Sequence, residues 1–459
     1  MPNHLMNRSA EATARPTLVR AVSRWQLVGL SINDVVGSGV YLLPAAAAAL
    51  LGPTSVWAVV LAGAAVAVLV LCFAEAASHF DEPGGAYLYT REAFGRFIGF
   101  EVGWMTWLAR VASVASLTNG LALAIAFLWP AASSGLPRVA ILVVTIAALT
   151  WINVVGVSSG ARAAVTLVIA KMLPLAFFVV VGVFFVDWSG VFAWETPRAG
   201  TLGEAALLLL FAYAGFENAP AAAGEYRNPR RDVPFALLTM IVIITATYVL
   251  VQIVALGTLP GLADSASPLA EAAGRFAGPW AALLLTVGAT LSIVGNIGNT
   301  TLLGPRYLYA LGVDGFGPRA LARVHPRYRT PANAIVTQSV LALALALSGS
   351  FVQLAMLSVI ARLATYIGTA AAVPVLRRRF GNRPGTFRLP GGPTIPILAL
   401  LLCAVFLMSA QWENLVAGFV ALAVGGIIYR FQRPPASPPA GAPVEPSIDP
   451  SVDPSIGPT

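Results

Sequence analysis

The chain has 459 residues, of which 58% are hydrophobic and only 10% are charged. This composition excludes an ordinary soluble globular protein of this length. The formal net charge of +8 could suit nucleic acid, but the arginines are divided among separate loops and form no basic patch or stripe, so we expect no nucleic-acid partner. The two cysteines, Cys72 and Cys403, lie in apolar segments and indicate neither a disulfide framework nor a metal site. We expect no metal and no cofactor.

Apolar stretches that are long enough to cross a bilayer recur twelve times along the chain, given that about 20 apolar residues span the hydrocarbon core. The sequence therefore predicts an all-α multi-spanning membrane protein with 12 transmembrane helices. The predicted segments are 26–49, 54–77, 98–128, 138–157, 163–186, 201–223, 235–258, 279–303, 332–349, 353–375, 394–410 and 413–431.

The arginines lie mostly on one side of the predicted membrane. The N-terminal segment and the even-numbered loops are rich in arginine. The odd-numbered loops hold acidic residues instead: Asp187, Glu195, Glu204, Asp264, Glu271 and Glu413. Only three arginines fall in odd-numbered loops: Arg138, Arg198 and Arg275. Because cytoplasmic loops accumulate Arg and Lys, we expect both termini to be cytoplasmic in a multi-pass protein of the cell membrane.

Composition divides the chain into three regions. Residues 1–22 are polar and form a cytoplasmic N-terminal segment, and residues 23–433 hold all the apolar segments. The tail 434–459 is rich in Pro and Ser and cannot bury a core, so we expect it to be disordered.

Two of the apolar segments are interrupted near their middles, in corresponding positions. The first, 27–50, is broken at Gly37-Ser38-Gly39 and then contains Pro44; the sixth, 202–223, is broken over 212–217. Non-helical backbone at membrane depth is tolerated only where it is buried in protein or lines a cavity. A repeated pair of such interruptions indicates the binding site of a transporter. The alternative for a lone Gly-x-Gly is close packing of helices.

The two breaks offer complementary backbone groups. N–H groups at Gly37, Ser38 and Gly39 suit a carboxylate, and freed carbonyls near Val35 and over 211–214 suit an ammonium group. We therefore expect a zwitterion to bind between them.

Charged residues inside a membrane are costly and are candidates for function. Lys171, the only lysine of the chain, could exchange a proton or act as a fixed cation; the alternative is a permanent ion pair with Asp34 or Glu75. The candidates within segments are Asp34, Glu75, Glu101, Arg110, Lys171 and Glu217, with Arg306 and Arg362 expected nearer to segment ends.

Glu217 and Arg110 each allow two interpretations. Glu217 lies at the second break and could take up a proton, or it could form a fixed salt bridge or cap the broken backbone. Arg110 could meet a substrate carboxylate, or it could neutralise Asp34 or Glu217.

Several motifs resemble those of the amino acid–polyamine–organocation (APC) transporters. The first motif begins at Gly37, and the second includes the break of the sixth segment and continues beyond it. The motifs read Gly37-Ser38-Gly39-Val40-Tyr41-Leu42-Leu43-Pro44, 211–217 running on to Gly224-Glu225-Tyr226-Arg227-Asn228-Pro229-Arg230-Arg231-Asp232-Val233-Pro234, Pro83-Gly84-Gly85-Ala86-Tyr87, and Arg306-Tyr307-Leu308-Tyr309-Ala310 before Asp314-Gly315.

The resemblance implies a leucine-transporter-type 5+5 inverted repeat with broken helices 1 and 6. Repeat one would cover about 23–186, repeat two about 200–375, and the extra helices 11 and 12 about 394–431.

The resemblance also assigns roles to individual residues. Ser38 and Gly39 would hold the substrate carboxylate. Carbonyls near Val35, Phe211 and Ala214 would hold its amino group, with the Phe211 ring as a cover. Two further residues match coupling positions: Glu217 matches an acidic residue linked to proton sensitivity, and Lys171 matches a lysine that replaces a sodium ion in sodium-independent relatives. Asp34, a charged residue within the first segment, is predicted to take part in proton or ion coupling together with Lys171 and Glu217.

The implied function is a secondary active amino acid transporter that works by alternating access, proton-coupled or exchange-type and sodium-independent. Two positions depart from the arginine–agmatine exchanger branch. Thr300 lies near the position of that branch's gating tryptophan. Arg110 stands where that branch has a small residue. Because a built-in cation would repel a cationic side chain, Arg110 disfavours cationic substrates and favours a neutral or acidic amino acid. The expected partners are the amino acid, protons and membrane lipid, with a homodimer left open.

Three alternatives stay open: an amino acid/amine antiporter of the arginine–agmatine exchanger type, a transport-inactive nutrient sensor, and a multi-spanning membrane enzyme. The sequence offers no cluster of His, Cys and carboxylate residues that would serve the enzyme, so we expect no catalytic residues.

Overall fold

A computed structural model describes residues 22–82, 84–156, 161–197, 200–381 and 385–431. The predicted N-terminal segment, apart from Val22, and the predicted disordered tail lie outside the described residues, as does Pro83. The described residues form fifteen α-helices and short 3-10 helices without a β-strand; the one extended contact is an isolated bridge between Val22 and Tyr226.

Seven α-helices make up the N-terminal half of the chain. They are α1 (Arg24–Val35), α2 (Gly39–Leu51), α3 (Ser55–Ser78), α4 (Gly85–Phe94), α5 (Arg96–Ala126), α6 (Gly135–Val155) and α7 (Ala161–Gly182).

Eight α-helices make up the C-terminal half. They are α8 (Thr201–Tyr213), α9 (Pro229–Thr258), α10 (Pro268–Ala277), α11 (Pro279–Val313), α12 (Ala332–Ser348), α13 (Phe351–Phe380), α14 (Thr394–Met408) and α15 (Trp412–Arg430).

Many of these helices are long and apolar enough to cross a membrane. Eight runs among the described residues meet that condition by length and composition, and α8, α12 and α14 are shorter apolar helices. Their outer faces carry large exposed apolar side chains, such as Trp151 of α6 and Phe419 of α15, which fit a hydrocarbon surrounding. The regular elements of the described residues are therefore helical, as in a multi-pass membrane protein, whereas the number of twelve spans stays a prediction.

Both predicted interruptions are present as helix ends. The first segment stops being helical after Val35 and resumes at Gly39. The sixth stops after Tyr213 and continues, beyond Gly215, as a 3-10 helix over Phe216–Glu225. This second half contains Pro220, which lacks an N–H group and interrupts the α-helical hydrogen-bond ladder.

Polar contacts join α5 and α13 in the interior. The hydroxyl of Thr106 lies 2.7 Å from that of Thr365, and the hydroxyl of Ser113 lies 2.8 Å from that of Ser358. Small hydroxyl side chains allow close approach and hydrogen bonds between helices inside a membrane. These two contacts hold α5 and α13 together, and both helices contribute residues to the cavity between the two breaks.

Candidate functional site

The two breaks pack directly against each other through glycine. A Cβ atom at Gly39 would lie 2.7 Å from the Cα of Ala212, and one at Gly215 would lie 2.5 Å from the carbonyl oxygen of Asp34. Gly215 also has φ of 130°, a conformation that only glycine adopts without strain. Each break therefore presents a glycine to the last turn of the other broken helix.

A small cavity lies where the breaks meet. Its volume is about 20 Å³, which is the space of about one water molecule. An amino acid needs more room, so the described conformation is closed around the site. Six of the predicted substrate-binding residues line the cavity: Val35, Gly37, Ser38, Gly39, Phe211 and Ala214. Its other walls are Ser113, Leu117, Asn296 and Arg362.

Ser38 places unused hydrogen-bonding groups at the start of α2. Its side-chain oxygen is buried and has no hydrogen-bond partner among the described atoms. Its carbonyl accepts the N–H groups of Tyr41 at 3.1 Å and Leu42 at 3.0 Å, so the N–H groups before them belong to the first turn, which has no intrahelical acceptors. These donors and the positive end of the α2 dipole can receive an anion.

Three carbonyls at the first break already accept side-chain donors. Lys171 Nζ donates to the carbonyls of Asn33 at 3.0 Å and Val36 at 3.2 Å. Asn296 Nδ2 donates to the carbonyl of Asp34 at 2.9 Å. A cation on α7 and an amide on α11 thus satisfy these three carbonyls, whereas that of Val35 accepts no hydrogen bond among the described contacts.

The interpretation of Lys171 as a permanent ion-pair partner is wrong for this conformation. Among the described side chains, neither Asp34 nor Glu75 lies within 4.0 Å of its ammonium group, and its two hydrogen bonds reach backbone carbonyls. Glu75 instead pairs with Arg377 at 2.5 Å. Asp34 accepts a hydrogen bond from Asn299 Nδ2.

Helix α11 contributes polar residues that we did not predict. Ser292 Oγ donates to the carbonyl of Val36 at 3.2 Å, and Asn296 and Asn299 contact Asp34. The spacing of these three residues, four and then three positions, puts them on one helix face. Three polar side chains on one face of an apolar segment were the signal that could have revealed them.

Glu217 is held by several donors at the second break. Its Oε2 atom accepts the N–H of Gly215 at 2.9 Å and the hydroxyl of Tyr366 at 3.4 Å. Its Oε1 atom accepts from Arg362 Nη1 and lies 3.8 Å from Arg110 Nη2. The described geometry corresponds to the salt-bridge interpretation of Glu217 and to the internal pair of Arg110.

The expectation that Arg362 lies near a segment end is wrong. It stands in the middle of α13, is 5% exposed, and lines the cavity. Besides Glu217, its guanidinium contacts Ser113 Oγ at 2.6 Å and Ser358 Oγ at 3.3 Å. Its position between Ala361 and Leu363 in an apolar segment was the available signal.

Comparisons with known proteins show which family the chain resembles. Residues 22–430 match the family described as amino acid permease. The branched-chain amino acid permease BcaP of Bacillus subtilis (strain 168) is 28% identical, over 92% of this chain and 94% of its own. The serine/threonine exchanger SteT of the same organism is 30% identical, over 81% and 86%. The vacuolar cationic amino acid transporter 4 of Arabidopsis thaliana is 27% identical, over 78% and 64%. The chain therefore belongs to the amino acid permease family within the APC superfamily.

Proposed function

We propose that the protein moves an amino acid across the cell membrane by alternating access, as a sodium-independent, proton-coupled or exchange-type secondary transporter. The observation that carries this proposal is the cavity between the two helix breaks. It combines the unpartnered Ser38 hydroxyl and the first-turn N–H groups of α2 with backbone carbonyls of both breaks.

The proposed substrate pose follows from the groups that remain unused. The carboxylate binds at Ser38 and Gly39, where backbone donors have no acceptor. The ammonium group binds the carbonyls of Val35 and Ala214, which accept no hydrogen bond among the described contacts. The Phe211 ring, which meets Phe351 edge-on at 6.0 Å, covers the bound molecule.

The position of Lys171 supports sodium independence. Unwound backbone carbonyls are the ligands that coupling ions use in transporters with broken helices. Here the carbonyls of Asn33 and Val36 already surround the ammonium group of Lys171. A built-in cation at this place removes the need for a bound sodium ion.

The hydrogen bonds of Glu217 favour exchange over proton coupling as the mode of transport. Its two carboxylate oxygens are engaged by Arg362, Gly215 and Tyr366, so its proton exchange would first require these contacts to break. An exchanger needs no such step, and one similar protein is named a serine/threonine exchanger.

Uptake by the purified full-length protein in liposomes tests the proposal. We expect labelled amino acid to enter in choline buffer as fast as in sodium buffer, driven by a pH gradient or by amino acid inside the vesicles. Uptake that requires sodium would contradict the proposed coupling. Binding in a thermal-shift screen without uptake under any gradient would indicate a transport-inactive sensor instead.

A further inference from the structure

We propose that the preferred substrate is an amino acid with an anionic side chain. This inference rests on the proposed amino acid transport and specifies its substrate class. The feature that leads to it is a charge imbalance beside the cavity, in a cluster of side chains from α5, α13 and the second break.

Two arginines share one carboxylate in this cluster, and of the three side chains only Arg362 lines the cavity. Glu217 Oε1 accepts from Arg362 and lies 3.8 Å from Arg110, and the three side chains are at most 6% exposed. Among the described residues, no other acidic side chain lies within 4.0 Å of either guanidinium. The cluster itself therefore holds two positive charges and one negative charge. Asp34, farther than 4.0 Å, also interacts with Arg110, but it faces Lys171 as well. The five side chains together keep a formal excess of one positive charge, which is costly inside a membrane protein.

The guanidinium groups also retain unused donors. The Nε and Nη2 atoms of Arg110 are buried and have no hydrogen-bond acceptor among the described atoms. A guanidinium has five N–H donors, and the contacts of Arg362 with Glu217, Ser113 and Ser358 use three of them. A second carboxylate could therefore accept hydrogen bonds from the unused N–H donors and neutralise the excess positive charge, in the planar geometry of arginine–carboxylate pairs.

The cavity directs the substrate side chain towards Arg362. The groups proposed to hold the carboxylate and the ammonium all belong to the two breaks. The remaining lining residues are Ser113 and Leu117 of α5, Asn296 of α11 and Arg362 of α13, and Arg362 is the only charged side chain among the lining residues. A cationic side chain placed there would be repelled, and an apolar one would leave the excess charge uncompensated.

Arg110 gives the cluster a way to accommodate a second carboxylate. When the substrate carboxylate binds Arg362, the unused donors of Arg110 can take over Glu217, which already lies 3.8 Å away. Two guanidinium groups then face two carboxylates, and the charges balance. In this role Arg110 is a positioning residue that acts through Glu217.

Isosteric substrate pairs test the inference, because glutamate and glutamine, or aspartate and asparagine, differ by charge at nearly equal size. For the purified full-length protein, we expect a Kd at least about tenfold lower for the acid than for its amide. Arg362→Gln should abolish this ratio, so that the acid and the amide bind with similar Kd. Arg110→Gln should reduce the ratio without touching the cavity wall.

Arg306→Gln is the matched control, because Arg306 is an exposed arginine of α11 away from the cavity; it should keep the wild-type ratio. The comparison of acid and amide in the unmodified protein needs no variant, so a misfolded mutant does not prevent the test. If the amide binds as tightly as the acid, the inference fails while amino acid transport stands. If no amino acid binds or enters vesicles, the proposed function itself fails.

Discussion

Lys171 donates its ammonium group to the main-chain carbonyl of Asn33 at a distance of 3.0 Å, across the point where the first membrane segment is broken. The same group reaches Val36 at 3.2 Å. Two carbonyls that lost their helical partners are thus satisfied by one cation from α7. In a membrane, an unsatisfied backbone carbonyl is costly, so this lysine stabilises the break as well as occupying a proposed ion position.

Lys171→Met should therefore affect both stability and transport. We expect the free energy of unfolding to fall by about 1–3 kcal/mol for each buried carbonyl left without a donor. The fall should be measurable as a lower apparent Tm of the purified protein. Amino acid uptake should be lost or should no longer respond to pH. Leu173→Met, at an exposed apolar position of the same helix, is the control. Full pH-dependent uptake in the Lys171 variant would contradict the coupling role.

The positions of the breaks could be predicted because they depend on local chemistry. Gly37, Gly39 and Gly215 interrupt two apolar segments in corresponding positions, and such a pair of interruptions indicates broken helices. The predicted residues around the cavity follow from that one feature. The local signal did not reveal that the continuation after Gly215 is a 3-10 helix, because this depends on how Pro220 is accommodated.

The partners of the charges could not be predicted, because they depend on contacts between distant parts of the chain. Arg362 meets Glu217 across 145 positions, and Asn299 meets Asp34 across 265. Nothing in the sequence near Glu217 distinguishes Arg110 from Arg362 as its main partner. Only the packing of α5 and α13 beside the second break decides it.

Gly39→Ala should disrupt the crossing of the two broken helices. The added Cβ would lie 2.7 Å from the Cα of Ala212, and a backbone atom cannot move aside as a flexible side chain can. We expect overpacking to cost about 1–3 kcal/mol and substrate binding to fall, as measured by thermal shift and uptake. Gly29→Ala, on α1, meets no atom within 4 Å and should behave like the wild type. Equal binding in both variants would refute the site assignment.

Glu217→Gln should leave two buried guanidinium groups without their shared carboxylate. Breaking such a pair costs about 3–5 kcal/mol, so we expect a large fall in apparent Tm and a flattened dependence of uptake on pH. The second variant, Glu217→Gln combined with Arg110→Gln, removes one positive charge together with the negative one. It should recover part of the loss, with a coupling of about 0.5–3 kcal/mol. Additive effects would show that Arg110 and Glu217 do not interact.

Arg377→Gln should loosen the connection between α3, α13 and the segment that precedes α14. Arg377 pairs with Glu75 at 2.5 and 2.7 Å, and Glu75 Oε2 also accepts the N–H of Leu389 at 3.0 Å. Because Glu75 is only 1% exposed, removal of its cation leaves a buried charge and should cost roughly 3 kcal/mol.

Two further variants separate this charge effect from a general loss of arginine. Arg378→Gln changes an exposed neighbour on the same helix and should change the free energy of unfolding by no more than about 0.5 kcal/mol, so its apparent Tm should stay close to that of the wild type. Glu75→Gln combined with Arg377→Gln removes both charges and should be more stable than Arg377→Gln alone, because a neutral buried amide costs less than an unpaired carboxylate. If the double variant is the less stable of the two, the pair contributes through packing and hydrogen bonds instead of charge.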